Sequence, residues 1–382
     1  MADIVLQGIT WNHSRGITPL LAASQRFHEL NPNIEIKWSK RTLQQFADFP
    51  IEELTKSYDL LIIDHPWVGC AAATNCVLPL EKYLTAAYLQ NQLENSVGES
   101  HKSYIYDTHQ WALAIDAAAP FASYRKDLLA ANNESVPSTW EEVIALAKKG
   151  RVAAPAIPID LLMNFYTFCI AVGKTPFANN TEVIDTNTGV AALEMMKQLY
   201  GLLDQTMFDK NPIAVAHTMT TSNDYWYCPF AYGYSNYSRQ GYAPNLLHYA
   251  DVVTYKNEHL KTTIGGTGLS VSAHSKQQSA AIAFAEMVCS ESCQAGLYVQ
   301  SGGQPGHLKA WTNPLANEIT HNFFTTNLAA MQRGYMRPRY NGYLHFQDHA
   351  GDPIRDYMMG KNLDAKNVLE QLNKIYHQSH AR

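Results

Sequence analysis

The sequence predicts an α/β protein of two lobes, built on open, doubly wound sheets. Three observations carry that prediction. The chain has 382 residues, too many for one ordinary hydrophobic core. Its start alternates strand-like and helix-like segments, the rhythm of α/β units. Leu60-Leu61-Ile62-Ile63 is a short, wholly apolar run, which suits a parallel strand buried on both faces.

Ile4 to Trp11 reads as the first strand. Thr18 with Pro19 behind it is expected to open a helix, since proline at the first helical position sacrifices no hydrogen bond. Leu20, Ala23, Phe27 and Leu30 then repeat at helical spacing, and Asn31-Pro32-Asn33 stops the helix. Ile34, Ile36 and Trp38 alternate as a second strand, and a further helix precedes 60–63. Residues 111–115 form an apolar strand, with Asp116 in the loop after it. A second strand carries Tyr124-Arg125-Lys126-Asp127, followed by a short helix and a capped helix over 139–149. There Thr139 accepts from the first-turn amides and Glu142 reaches back, the two halves of a capping box. A helix over 189–203 carries Leu193, Met196, Tyr200 and Leu203 as a core-facing stripe. Val271 ends a strand, and a helix over 278–289 buries Ala281, Phe284, Ala285 and Val288. Leu369, Leu372 and Tyr376 mark a C-terminal helix. The expected lobes are 1–120 with 261–312, and 121–260 with 313–382.

Ordered motifs add a resemblance. Tyr124-Arg125-Lys126-Asp127-Leu128-Leu129 and Pro137-Ser138-Thr139-Trp140-Glu141-Glu142 match the "YNKDLL" and "P-x-TWEE" segments of bacterial extracellular solute-binding proteins, the sugar-type family 1 of ABC importers. Gly265, Gly266, Gly268, Ser275, Ala281 and Phe284 fill that family's glycine-strand and helix pattern. Gly302-Gly303-Gln304-Pro305-Gly306 resembles its "GG-x-x-P" loop. The resemblance implies a periplasmic-binding-protein-like fold of type II, with a multi-strand hinge and two lobes that close around a small polar solute. It implies no catalytic step and no cofactor, and it implies an ABC permease as partner for an exported protein.

Composition excludes other classes. Apolar residues make up 46% and charged residues 16% of the chain, the balance of a globular protein. The net charge of −5 lacks the basic stripe of a nucleic-acid binder. No apolar run approaches the ~20 residues needed to span a bilayer, so no membrane insertion is expected. The expected state is a monomer. Met1-Ala2-Asp3 leads straight into the first strand with no basic or apolar leader. The chain as written is therefore expected in the cytoplasm, and in the periplasm if a leader has been removed. Of the six cysteines, Cys70 and Cys76 are spaced to close a small loop, while Cys169 and Cys289 read as small buried hydrophobes.

Ligands of open α/β sheets sit beyond the carboxyl ends of the strands. That rule nominates the loop 10–16, with Trp11 and His13; the loop Asp64-His65-Pro66-Trp67; and Asp116. Trp11 and Trp67 offer stacking area for a sugar face, and Asp64 and Asp116 offer acceptors for hydroxyls. The plainer reading has Asp64 capping the next helix and His65 as a satisfied loop histidine. In the second lobe, eight aromatics crowd between Asp224 and Tyr242. Some must be core; Tyr225, Tyr232, Tyr234 and Asn236 are the candidates for ligand contact. Gly266 and Thr267 belong to a glycine turn whose amides face ligand. Arg337 and Arg339, flanking Pro338, offer planar forks that fit carboxylate or phosphate, or a solvated loop. Two alternatives stay open. His13, Asp64 and His65, or His345, Asp348 and His349, would make a metal-ion-binding protein of the same fold. An enzyme on this fold is the other, although no GxSxG elbow or HExxH helix is present. No metal ligand and no catalytic residue is assigned.

Overall fold

The computed structural model describes residues 3–179, 181–362 and 364–381. By internal contacts the chain divides into two compact units. The first comprises Met1–Ala118, Ile264–Leu328 and Arg339–Asn341. The second comprises Ala119–Thr263, Ala329–Pro338 and Gly342–Arg382.

In the first unit, β1 (Ile4–Trp11), β2 (Ile34–Arg41) and β3 (Leu60–Ile63) run parallel in the order β2-β1-β3. Strand Gly265–Val271 pairs antiparallel to β3, and strand Leu113–Ala118 pairs antiparallel to it in turn. All four residues of β3 are buried, as its apolar composition requires. Helix α1 (Ser14–Leu30) and helix Gln278–Val288 contribute Leu20, Phe27 and Phe284 to one core with Leu6, Leu60 and Ile62. The Phe27 and Phe284 rings meet edge-on at 5.5 Å, a favoured aromatic geometry.

Three local expectations are corrected here. Helix α1 opens at Ser14 with His13 as its cap, so Pro19 lies inside the helix and not at its first position. Pro19 there forgoes one intrahelical bond, a loss that burial of its ring within the unit accompanies. Asp116 lies within strand Leu113–Ala118 and not in a loop beyond it. Gly265 and Gly266 belong to strand Gly265–Val271 and not to a turn before it. Gly266 is needed there: its φ is +99°, and a Cβ would stand 2.3 Å from the Asp116 carbonyl oxygen. All six cysteines, Cys70 and Cys76 included, are free thiols.

The second unit holds a three-stranded antiparallel sheet, with Pro120–Tyr124 between Tyr227–Tyr232 and His248–Ala250. Helix Pro158–Ala171 is buried all round from Asp160 to Cys169, which fits its almost unbroken apolar sequence. Helices Thr186–Tyr200 and Tyr343–Met358 pack against it, and helix Ala365–Ser379 packs on those two in turn. The Thr139 capping box forms as the sequence predicts and opens helix Trp140–Lys148. The stripe of Leu193, Met196, Tyr200 and Leu203 is buried.

Candidate ligand-binding site

The mutually parallel strands of the first unit bring their carboxyl ends to one edge, where strand Gly265–Val271 begins, and most nominated residues meet there. Trp11 ends β1, Asp64 to Trp67 follow β3, and Asp116 lies near the end of its strand. Gly266 and Thr267 pair with Ala117 and Asp116 at the same edge. The loop around Pro305 closes its flank: the Gln304 side-chain amide donates to Ala117 O at 2.8 Å, and Gly306 N donates to Ile115 O at 3.2 Å.

The charged groups at this edge are largely committed. Asp116 accepts from Arg15, with Arg15 Nε donating at 2.8 Å and Nη2 forming a second, tighter contact. Both side chains are buried. Burial pushes the Asp116 carboxyl up, and Arg15 pulls against that push. An arginine in the first turn of α1 opposes the helix dipole; the carboxylate across the sheet offsets it. His13 Nδ1 accepts from Arg15 N at 3.0 Å. Burial, with Arg15 nearby, lowers the His13 pKa to about 4, so its imidazole is neutral at pH 7. Asp64 acts as a cap, accepting from His65 N at 2.8 Å. His65 is buried, with Nδ1 3.3 Å from Asp64 and its ring edge-on to Tyr104.

The tryptophans show what is not committed. Five of the seven donate their indole N–H within the protein: Trp38 to Ser24, Trp111 to Tyr106 O, Trp140 to Gln198, Trp226 to Asn223 O and Trp311 to Pro305 O. Trp11 and Trp67 are as buried, 4% and 5% exposed, yet neither Nε1 has a hydrogen-bond partner among the described residues. The buried Thr267 hydroxyl is in the same condition. A buried donor without an acceptor costs about 1–3 kcal/mol, and three such groups at one strand-end edge make it the candidate ligand site. Gly16 lets the Trp11 ring lie against the start of α1, since a Cβ there would sit 2.5 Å from the indole.

The sequence reading covers Arg15 only as part of the loop 10–16 and does not reach Arg41. Alternation with Ile34, Ile36 and Trp38 gives Arg41 the opposite parity, that of a solvent-facing base. Arg339, by contrast, is held structurally. Its Nη1 donates to the carbonyls of Lys102, Ser103 and Ile105 at 3.1, 3.1 and 2.6 Å, and its guanidinium lies over the Tyr106 ring.

The remaining candidates lie in the second unit. Tyr232 is half-buried, its hydroxyl 2.9 Å from Thr263 Oγ1. Tyr234 and Asn236 are buried just beyond the same strand end. Tyr249 binds back to Tyr234, its hydroxyl donating to Tyr234 O at 3.1 Å. Tyr225 precedes strand Tyr227–Tyr232 and so lies at its opposite end, roughly 20 Å of extended chain from Tyr232. Of the aromatic run, Trp226, Tyr227, Phe230, Tyr234 and Tyr237 are core. Arg337 is buried and donates to Gln347 at 2.7 Å. His345 and His349 stack 4.2 Å apart on one helix, but no group of three metal-ligating side chains occurs among the described residues.

A two-lobed α/β protein whose parallel strands end at buried, unsatisfied donors is a ligand-binding protein. A model of the bacterial extracellular solute-binding protein family matches residues 11–295, and the chain belongs to that family. Solved structures share the fold end to end. Maltose-bound T. maritima MalE3 aligns over 98% of this chain and 99% of its own, at 17% identity and a TM-score of 0.83. An ABC transporter solute-binding protein from Agrobacterium radiobacter, in complex with ribitol, covers 97% and 98% at 20% identity and 0.82. An ABC substrate-binding protein from Listeria monocytogenes, in complex with cycloalternan, covers 99% of each at 13% identity and 0.82. The family and these neighbours are binding proteins. No helix among the described residues is long and apolar enough to cross a membrane.

Proposed function

We propose that the chain binds a small carbohydrate or a related organic acid and releases it unchanged. The observation that carries this is the pair of buried indoles, Trp11 and Trp67, whose N–H groups have no acceptor among the described residues. Sugars supply the complement, with apolar faces for the rings and oxygens for the donors. Neighbours of the same fold are in complex with maltose, ribitol and cycloalternan, which supports the carbohydrate class. For a chain that works outside the membrane, the partner is the permease of an ABC importer. Asp116, the one strand-borne carboxylate of the edge, is held by Arg15, which argues against a role in acid-base chemistry.

Native mass spectrometry of the purified protein, followed by a thermal-shift screen of sugars, polyols and acids, tests the reading. A true ligand at ~100 times its dissociation constant adds about 2.7 kcal/mol of stability. A co-purified or stabilising saccharide, recovered intact after incubation, is the expected result. Turnover of the bound compound, or a metal as the sole stabiliser, would overturn it.

A further inference from the structure

Arg41 is the last residue of β2, at the carboxyl edge of the first unit's sheet. It is 6% exposed, yet no carboxylate pairs with it among the described residues. Its Nη2 donates to Ile62 O at 3.0 Å and its Nη1 to Gln45 O at 3.3 Å. Because the strand order is β2-β1-β3, a side chain that starts on β2 and bonds to β3 must cross the end of β1. That places the guanidinium beside Trp11. Phe46 links the two, with its ring 5.5 Å from the Trp11 ring and the Arg41 guanidinium 5.1 Å from the Phe46 centroid. Arg41 Nε, like Trp11 Nε1, has no hydrogen-bond partner among the described residues. Burial lowers the Arg41 pKa only to about 10, so it carries its charge at neutral pH.

Two donor-only groups, an indole and a guanidinium, are therefore buried side by side, and the Trp11 Nε1 and Arg41 Nε donors lack an acceptor among the described residues. A buried cation with no counter-charge is costly, and the two acids described at this edge are taken. Asp116 is held by Arg15, and Asp64 caps its own loop. We propose that the ligand carries an oxyanion, a carboxylate or phosphate on a sugar, which Arg41 and Trp11 receive together. This rests on the carbohydrate reading above and narrows it from neutral sugars to acidic ones.

Calorimetry on the full chain with matched probes tests it: glucose against glucuronate and glucose 6-phosphate, maltose against digalacturonate, and inorganic phosphate alone. The acidic member of at least one pair should bind at least tenfold tighter than its neutral partner. Glucuronate or glucose 6-phosphate as the tighter probe identifies which oxyanion the site takes. Arg41→Met should abolish the preference by lowering the acidic member's affinity at least tenfold, while Arg41→Lys should retain part of it. Should Arg41→Met fail to fold by circular dichroism, the wild-type preference and Arg41→Lys still decide. Neutral members binding as tightly as acidic ones would overturn the oxyanion inference and leave the carbohydrate reading intact. Phosphate alone binding as tightly as the sugar phosphate would also overturn it, because the sugar would then add nothing. Binding by no probe would overturn both readings.

Discussion

Both units bury polar groups, and they differ in how the fold meets them. The first buries the arginines 15 and 41, the indoles 11 and 67 and His101, with His13 half-buried beside them. Burial lowers the pKa of each of these histidines to about 4. The second buries the guanidinium of Arg125, the phenols of Tyr200, Tyr227 and Tyr237, and the carboxyl of Asp160, whose pKa burial raises to about 8. Part of this is structural. Asn164 donates to the Tyr200 hydroxyl at 2.8 Å, which donates in turn to Pro155 O at 3.1 Å. The nitrogen groups at the sheet edge of the first unit are not all closed off in that way, and the contrast teaches where to look for a ligand. A buried polar group that the fold satisfies is architecture; one left open at a strand-end edge is available for recognition.

The largest effect that would break the comparison comes from the buried Arg15–Asp116 pair. Arg15→Ala leaves the Asp116 carboxylate buried and alone. Removing one partner of a buried ion pair costs about 3–5 kcal/mol, so urea unfolding at pH 7 should show a loss of that order. A loss under ~1 kcal/mol, the range of an exposed pair, would mean the edge is wetter than its burial indicates.

A smaller effect sharpens the comparison through pH. A histidine kept neutral in the folded state takes up a proton more readily when unfolded. His13 and His101 therefore destabilise the fold as pH falls from about 6.5 to about 4. Asp160 works in the other direction. Its folded pKa lies above the unfolded value, so its stabilising contribution is full near pH 4 and is lost as pH rises through about 8. Asp160→Asn should raise stability at pH 8 by on the order of 3 kcal/mol and change little at pH 4. Denaturant melts of the variant at both pH values check this; an equal gain at both would remove titration as the cause.

Much of the fold was legible in the sequence because it rests on local rules. The apolar run at 60–63, the stop at Asn31 and the Thr139 capping box all form as read. The helix start at Thr18 was misplaced because a proline signal outweighed His13, a cap that works only through its ring nitrogen. The edge of the first sheet was also legible, since strand ends follow from strand positions. Its chemistry was less so. The Arg15–Asp116 pair joins residues 101 positions apart, and nothing local in Arg41 announces a side chain that reaches over β1 to Ile62. The aromatic run at 225–242 does not sort itself from sequence, because alternating rings in a strand and core rings have the same composition.

The central claim is that Trp11 and Trp67 keep their indole N–H groups for a ligand. Indole ¹⁵N–¹H NMR of the full chain reads it directly, with Trp11→Phe and Trp67→Phe assigning the two resonances. On titration with the tightest saccharide of the panel, these two should shift. Trp38, Trp140 and Trp226, already bonded to Ser24, Gln198 and Asn223, should stay within their line widths. A saccharide that binds while the Trp11 and Trp67 resonances stay in place would contradict the account.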